Sequence, residues 1–330
     1  VEIGLNLNNR EALIAPDYGL SGLLELACLA ERRGFDSVWV GDSLLSKPRY
    51  EPLAVIGALS QRTETVRLGT ACLITTLRHP VQLAHAWSTL DVASGGRTVL
   101  GACAGNAVEE GVRREFAVLG LDPAQRLGVF EEGLAILRAL MSSGEVTFHG
   151  RHFTLDGVAF DTGVEPEPLL PIQRPPPIWV VANPSIGAAR ERRASRAARR
   201  VAQLGDGWMT CCRASHPEEV TSFLSELESL RPLDGLAVAY QVTATLGDSR
   251  RAALAEQRRY IDAYYPEFRS AVALDDWGPA GTGEEVLDWV RRFGEVGVNT
   301  FIFRFASLDQ HGQLERFAEE VLPAARSAAG

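Results

Sequence analysis

Four side chains of this 330-residue sequence stand where a buried apolar run gives way to polar residues: Asp42, Ser43, His79 and Arg304. Asp42 and Ser43 directly follow residues 37–41 (SVWVG). A carboxylate there can act as a base or contact a ring. A serine hydroxyl can hydrogen-bond a carbonyl or peroxide oxygen, but alone it takes up no proton at neutral pH. His79 sits between Arg78 and Pro80 ahead of a helical pattern, where it can serve equally as a proton donor or as a cap. Arg304 ends the apolar run TFIFR. A cation there is costly unless paired, and its guanidinium can meet a substrate carboxylate or a phosphate-like group.

Two loops add binding chemistry. In GACAGNAVEE (residues 101–110) small residues surround Gly105 and Asn106, and glycine lets backbone approach a ligand closely. In Asn183-Pro184-Ser185-Ile186-Gly187, just before an arginine-rich segment, amide groups at a helix start with Asn183 and Ser185 form an anion cradle; a simple N-cap by Ser185 is the other reading. The arginines themselves alternate with alanines over residues 190–200, the pattern of a solvated helix face.

Composition narrows the partners. Thirty-three basic residues against forty-two acidic ones give a charge of -9, the wrong sign for holding a polyanion, so nucleic acid is not expected. No stretch approaches the ~20 apolar residues that cross a bilayer, and the first residues lack a basic flank followed by a long apolar run. The expectation is a cytoplasmic protein without a membrane partner. Its five cysteines show no metal-ligand spacing, which points to reduced thiols and no metal site.

Short apolar runs alternate with longer amphipathic patterns along the chain. Strands are expected at 3–7, 37–41, 67–74, 98–102, 178–182, 207–210, 236–243 and 300–304. Helices are expected at 20–33, 52–61, 81–94, 126–141, 187–204, 217–230, 284–294 and 313–325. Nearly all-apolar strands alternating with such helices predict a parallel sheet covered on its outer face, and eight units close into an α/β barrel, the (β/α)₈ TIM barrel. An open doubly wound sheet is the alternative, but its GxGxxG fingerprint is absent after the first strand. Trp39 and Trp87 read as core aromatics. One domain is expected over residues 1–330, with insertions at about 145–177, containing paired short strands and a proline-rich excursion, and at 262–281. In such a barrel reactive groups project from the carboxyl ends of the strands, which nominates the residues above together with Asn6, Asn8 and residues 241–243.

Five ordered blocks, GFDSVWVGDS, VRLGTACLITTLRHPVQLAHAWSTLDVASGGRTVLGACAGN, LRALMSSGEVTFHGRHFTLDGV, PPPIWVVANP and LGDGWMT, resemble the luciferase-like flavin monooxygenases and their deazaflavin F420-dependent relatives. The resemblance implies a non-prolyl cis peptide joining Ala71 and Cys72, which props the cofactor ring. It also implies FMN or coenzyme F420 as cofactor, a small-molecule substrate, a flavin or F420 reductase as supplier, and a homodimer. Two departures pull in opposite directions. Many F420-dependent relatives carry histidine where this chain has Ser43, which weakens an alcohol-dehydrogenase mechanism. Luciferases place an arginine on the FMN phosphate near the position of Ala104, and losing such a contact is worth ~1.5 to 3 kcal/mol of affinity. The first expectation is a monooxygenase using reduced FMN and dioxygen. Its alternatives are an F420H₂-dependent reductase acting on an activated C=C, C=N or carbonyl group, and a non-catalytic flavin-binding barrel subunit.

Overall fold

The structure is a computed structural model that describes residues 1–14, 18–106, 109–161, 169–183, 190–211, 216–265 and 274–327. Eight strands form its centre: β1 (Glu2–Leu7), β2 (Ser37–Val40), β3 (Arg67–Thr70), β4 (Thr98–Cys103), β5 (Ile178–Val181), β6 (Gly207–Cys211), β7 (Ala237–Leu246) and β8 (Thr300–Phe305). Each pairs in parallel with the next, and β8 returns to β1 with Phe301 opposite Ile3. The sheet is thus a closed (β/α)₈ barrel rather than an open doubly wound one. Among the described residues no helix is long and apolar enough to cross a membrane.

The strands were legible because both faces are buried and leave almost no polar interruptions. The third departs from its expected span. It pairs as β3, breaks, and resumes as Leu73–Ile74 beside β4, with Leu73 opposite Ala102. The break contains the cis peptide between Ala71 and Cys72. Three further helices appear among the described residues, one of them the single turn Glu11–Ile14 after β1. Glu110–Val118 buries only Val112, Glu115 and Phe116, and Arg250–Tyr264 buries Ala253, Gln257, Tyr260 and Ile261. Polar residues at inward positions blur the apolar period that marks a helix in sequence. The last expected helix is two, Gln310–Glu320 and Leu322–Ser327.

In the first insertion, Glu145–His149 and Thr154–Ala159 pair antiparallel. In the second, the described part ends in a 3-10 turn, Leu274–Trp277, and a two-residue strand, Ala280–Gly281, that pairs in parallel with the end of β7.

Inside the barrel, Trp39 and Trp179 lie with ring centroids 5.0 Å apart and pack with Val99, Met209, Ala239 and Ile302. Glycine makes room for them. A Cβ at Gly69 would lie 2.3 Å from the Trp39 ring, and one at Gly207 would lie 2.6 Å from the Trp179 ring. The Trp39 indole N–H donates to Ser37 Oγ at 2.7 Å, so the ring is buried with its polar atom satisfied. Trp87 is equally buried, but in the layer outside the sheet. The barrel floor is therefore solid, and any ligand must sit above it, toward the carboxyl ends of the strands.

Overpacking this floor should cost stability. Gly69→Ala is expected to lower the unfolding free energy by about 1–3 kcal/mol in urea titrations. Gly294→Ala, on a helix where a Cβ meets nothing within 4 Å, should be neutral or slightly stabilising. Equal behaviour of the two variants would contradict the account of the floor.

Candidate functional site

The loops after β2, β3 and β4 are tied together above the floor. Thr70 Oγ1 donates to Gly101 O at 2.9 Å and Thr76 Oγ1 donates to Ala104 O at 3.2 Å, which fixes the loop after β3 against β4. From the other side Asp42 accepts the Ile74 amide at 3.0 Å and both Arg78 Nη groups, at 2.6 and 3.3 Å. Arg78 also donates to Glu51 Oε1 at 3.0 Å. Burial works against the Arg78 charge, but Asp42 and then Glu51 outweigh it and hold the guanidinium above its usual value. Asp42 thus acts here as the clamp of the Ala71–Ile74 stretch, with both oxygens engaged, rather than as an unencumbered base.

Ser43 is committed in the same way. Its hydroxyl donates to Glu115 Oε1 at 3.1 Å and accepts the Lys47 amide at 3.0 Å. That same Glu115 oxygen takes the amides of Leu45 and Ser46, each at 2.7 Å, so the loop after β2 folds around a fully buried carboxylate. His79 resolves to the cap. Its Nδ1 accepts the Val81 amide at 3.3 Å at the start of helix Pro80–Ala93, its ring packs edge-on against Phe153, and the residue is exposed.

The expected cofactor residues spread around the mouth. Ala71 is buried with the interior cluster and Cys72 is partly buried beside it. Gly105 has φ +73, the left-handed region that favours glycine, and a Cβ there would press on Ile74 and Phe116 at 3.0 and 3.3 Å. Asn106 is exposed and donates to Glu109 Oε1 at 3.3 Å. Asn183 Oδ1 accepts the Thr210 hydroxyl at 2.9 Å, which joins the ends of β5 and β6. Ser185, Ile186 and Gly187 lie outside the described residues. Asn6, opposite Trp39 in the β1–β2 register, is buried, and its Oδ1 has no hydrogen-bond partner.

Arg304, expected to turn its guanidinium to a substrate, is bound by protein through Nε and Nη2. Nε donates to Asn8 Oδ1 at 3.0 Å, and Nη2 donates to Glu11 Oε1 at 2.9 Å and reaches the hydroxyls of Tyr260 and Tyr265. Both hydroxyls also donate to Glu11 Oε1, at 2.5 and 2.8 Å. The Glu11 and Arg304 side chains are only 4% and 13% exposed. Burial opposes the charge on each, yet Arg304 and Arg49 pull the Glu11 carboxyl below its ordinary value, and Tyr260, Tyr265 and Glu11 hold Arg304 well above its own. Burial above all, with Glu11 beside it, pushes the Tyr260 hydroxyl up.

Around this cluster stand groups the sequence did not single out. Asn9 donates to the carbonyls of Gly41 and Tyr50, at 2.8 and 3.1 Å, and accepts Arg49 Nη1 at 3.1 Å. Arg10 lies over the Tyr265 ring at 4.8 Å and Lys47 at 5.7 Å. The available signals were Glu11, just past the first strand, and the Lys47-Pro48-Arg49 triplet past the second. Glu11 opens the one-turn helix Glu11–Ile14 and the triplet lies on a loop, and neither has its partners until the barrel closes.

Because the folded pKa of Glu11 is depressed, its contribution to stability is complete above the unfolded value of about 4.3 and is lost as pH falls through the folded one. Urea midpoints should therefore drop below about pH 4.3, and Glu11→Gln should flatten that part of the profile while lowering stability at pH 7. An unchanged acid limb in Glu11→Gln would show that another group carries it.

The sequence model of the luciferase-like monooxygenase family matches residues 1–301. The F420-dependent glucose-6-phosphate dehydrogenase of Beutenbergia cavernae is 30% identical over 95% of this chain and 96% of its own length. That of Nakamurella multipartita is 26% identical over 96% of both. Among solved structures, an F420-dependent secondary alcohol dehydrogenase with an F420-acetone adduct superposes with a TM-score of 0.77 at 23% identity, over 98% of this chain and 99% of its own. The oxygenating constituent of a 3,6-diketocamphane monooxygenase from Pseudomonas putida, in complex with FMN, does so with a TM-score of 0.76 at 16% identity, over 98% of each. The last two speak for the fold alone. With its family matched over residues 1–301 and relatives spanning nearly its whole length, the chain belongs to the luciferase-like monooxygenase family and is an oxidoreductase of the flavin- or F420-dependent kind.

Proposed function

We propose that this chain transfers a hydride between coenzyme F420 and a small organic substrate. The observation that carries the reading is the 30% identity, over 95% of the chain, to an F420-dependent dehydrogenase. It favours the F420 alternative over reduced FMN and dioxygen, which the sequence alone ranked first. The second alternative, a barrel that binds flavin without chemistry, has no support from these relatives.

The residues present fit a flat ring above the floor. Small residues, Gly41, Ala71, Ala104 and Gly105, stand at or beside the ends of β2, β3 and β4. The unpartnered Asn6 Oδ1 is a buried acceptor that an N–H of such a ring can satisfy. F420, when bound, supplies a two-electron hydride carrier, and the protein's task is to orient it and keep water out. Asp42 and Arg78 hold the Ala71–Ile74 stretch against displacement, and Thr70 and Thr76 tie it to β4. Ser43 donates its proton to Glu115 and accepts the Lys47 amide, so it serves as proton relay in neither direction of a hydride transfer.

Fluorescence titration of the purified chain should show F420 binding at least about tenfold tighter than FMN, equivalent to ~1.4 kcal/mol. Reduced F420 should be consumed under argon by a reducible substrate panel. Asn6→Ala should weaken F420 binding about fivefold to tenfold, the value of one buried hydrogen bond. Oxygen uptake driven by reduced FMN, with no response to F420, would overturn the proposal in favour of the monooxygenase.

A further inference from the structure

Charged side chains at the mouth do not pair evenly. Arg304 is matched by Glu11, Arg78 by Asp42 and Glu51, and Lys47 lies 3.9 Å from Glu109. Among the described residues, Arg10 and Arg49 form no ion pair. Arg49 donates to the neutral Asn9 side chain, and its charge acts on Glu11 without a direct contact. Arg10 lies over the Tyr265 ring, and its Nη1 is buried with no hydrogen-bond partner at all. Leaving a guanidinium nitrogen dry and unpaired is expensive, and a group retained at that cost is one that a ligand completes.

The position suits a substrate. Arg10 follows β1 by three residues, and Tyr265, on which it lies, binds the Glu11 and Arg304 cluster at the end of β8. Arg49 reaches over the floor. Its guanidinium carbon and the Ala71 carbonyl oxygen lie 3.5 and 3.6 Å from the one point where a Gly41 Cβ would stand. Gly41 thus keeps Arg49 and the proposed ring site adjacent. A guanidinium held in orientation by a ring, as in Arg10, or by an amide, as in Arg49, can offer a planar anion two parallel N–H donors. A carboxylate presents two coplanar oxygens, the shape that parallel N–H donors of a guanidinium match.

We propose that Arg10 and Arg49 together receive a carboxylate group on the substrate, which makes this enzyme specific for an organic acid and transfers to them the role first expected of Arg304. This rests on reading the barrel mouth as the substrate site. The carboxylate takes no part in the redox step. It anchors the molecule so that the reducible carbon faces the ring above Ala71.

The test is calorimetric titration of the full chain, without cofactor, with hexanoate and benzoate, their amides hexanamide and benzamide, and glucose 6-phosphate. The carboxylates are expected to bind and the amides not, and the carboxylate affinity should fall with added salt. R10M and R49M should each weaken carboxylate binding about tenfold to a hundredfold. R10M should keep or raise the Tm, because it removes an unpaired buried cation. Equal binding of acid and amide, binding of glucose 6-phosphate alone, no binding of any probe, carboxylate binding unchanged in both variants, or a marked Tm loss in R10M would each overturn the proposal. F420 fluorescence titration, run separately on the same samples, reports on the cofactor reading alone, so failure of one is distinguishable from failure of the other.

Discussion

A charge removed from water must be matched nearby, and where this barrel closes the match is made by Glu11 and Arg304. The two residues are 293 apart in the chain, at the start of the short helix Glu11–Ile14 after β1 and at the end of β8, and only ring closure brings them together. Their ion pair is one of several hydrogen bonds meeting at a single carboxylate oxygen, and those bonds recruit Tyr260 and Tyr265 from the segment before the last barrel unit. Seam, insertion and mouth are thereby joined. Stability gained from such a pair is modest against a hydrophobic replacement, whereas breaking one half is severe, so its value lies in specifying an arrangement.

The same economy governs the rest of the mouth. Buried carboxylates at Asp42 and Glu115 each collect amide or guanidinium donors from a neighbouring loop, and in doing so position backbone instead of reacting. Below them the two tryptophans fill the interior, so no channel runs through the barrel at their level. Function then divides spatially. In the proposed reading, small residues after β2, β3 and β4 face a flat cofactor, while Arg10 after β1, Arg49 after β2 and the tyrosines after β7 face the substrate.

Much of this was legible in the sequence, and the reason differs by element. Barrel strands could be placed because burial on both faces leaves continuous apolar runs. The cis bond at Ala71 followed from the resemblance carried by RLGTACLITTLRHP, since no local spacing announces it. Helices Glu110–Val118 and Arg250–Tyr264 were missed because Glu115, Gln257 and Tyr260 occupy inward positions where an apolar side chain is expected. Roles were harder still. Asp42, Ser43 and Arg304 were correctly found at strand ends, but their partners Arg78, Glu115 and Glu11 lie 36, 72 and 293 residues away, and pairing at such separations exists only after folding. His79, by contrast, meets its partner two residues on, which is why its capping role could be foreseen.

The dependence of the mouth on the seam pair is tested most directly by a double-mutant cycle on Glu11→Gln and Arg304→Met, read from urea unfolding at pH 7. Each single change strands a buried partner and should cost about 3–5 kcal/mol, while the double variant should lose distinctly less than the sum, leaving a coupling of at least about 2 kcal/mol. Strictly additive losses would mean that the two residues do not depend on each other, and the account of the seam would fall with them.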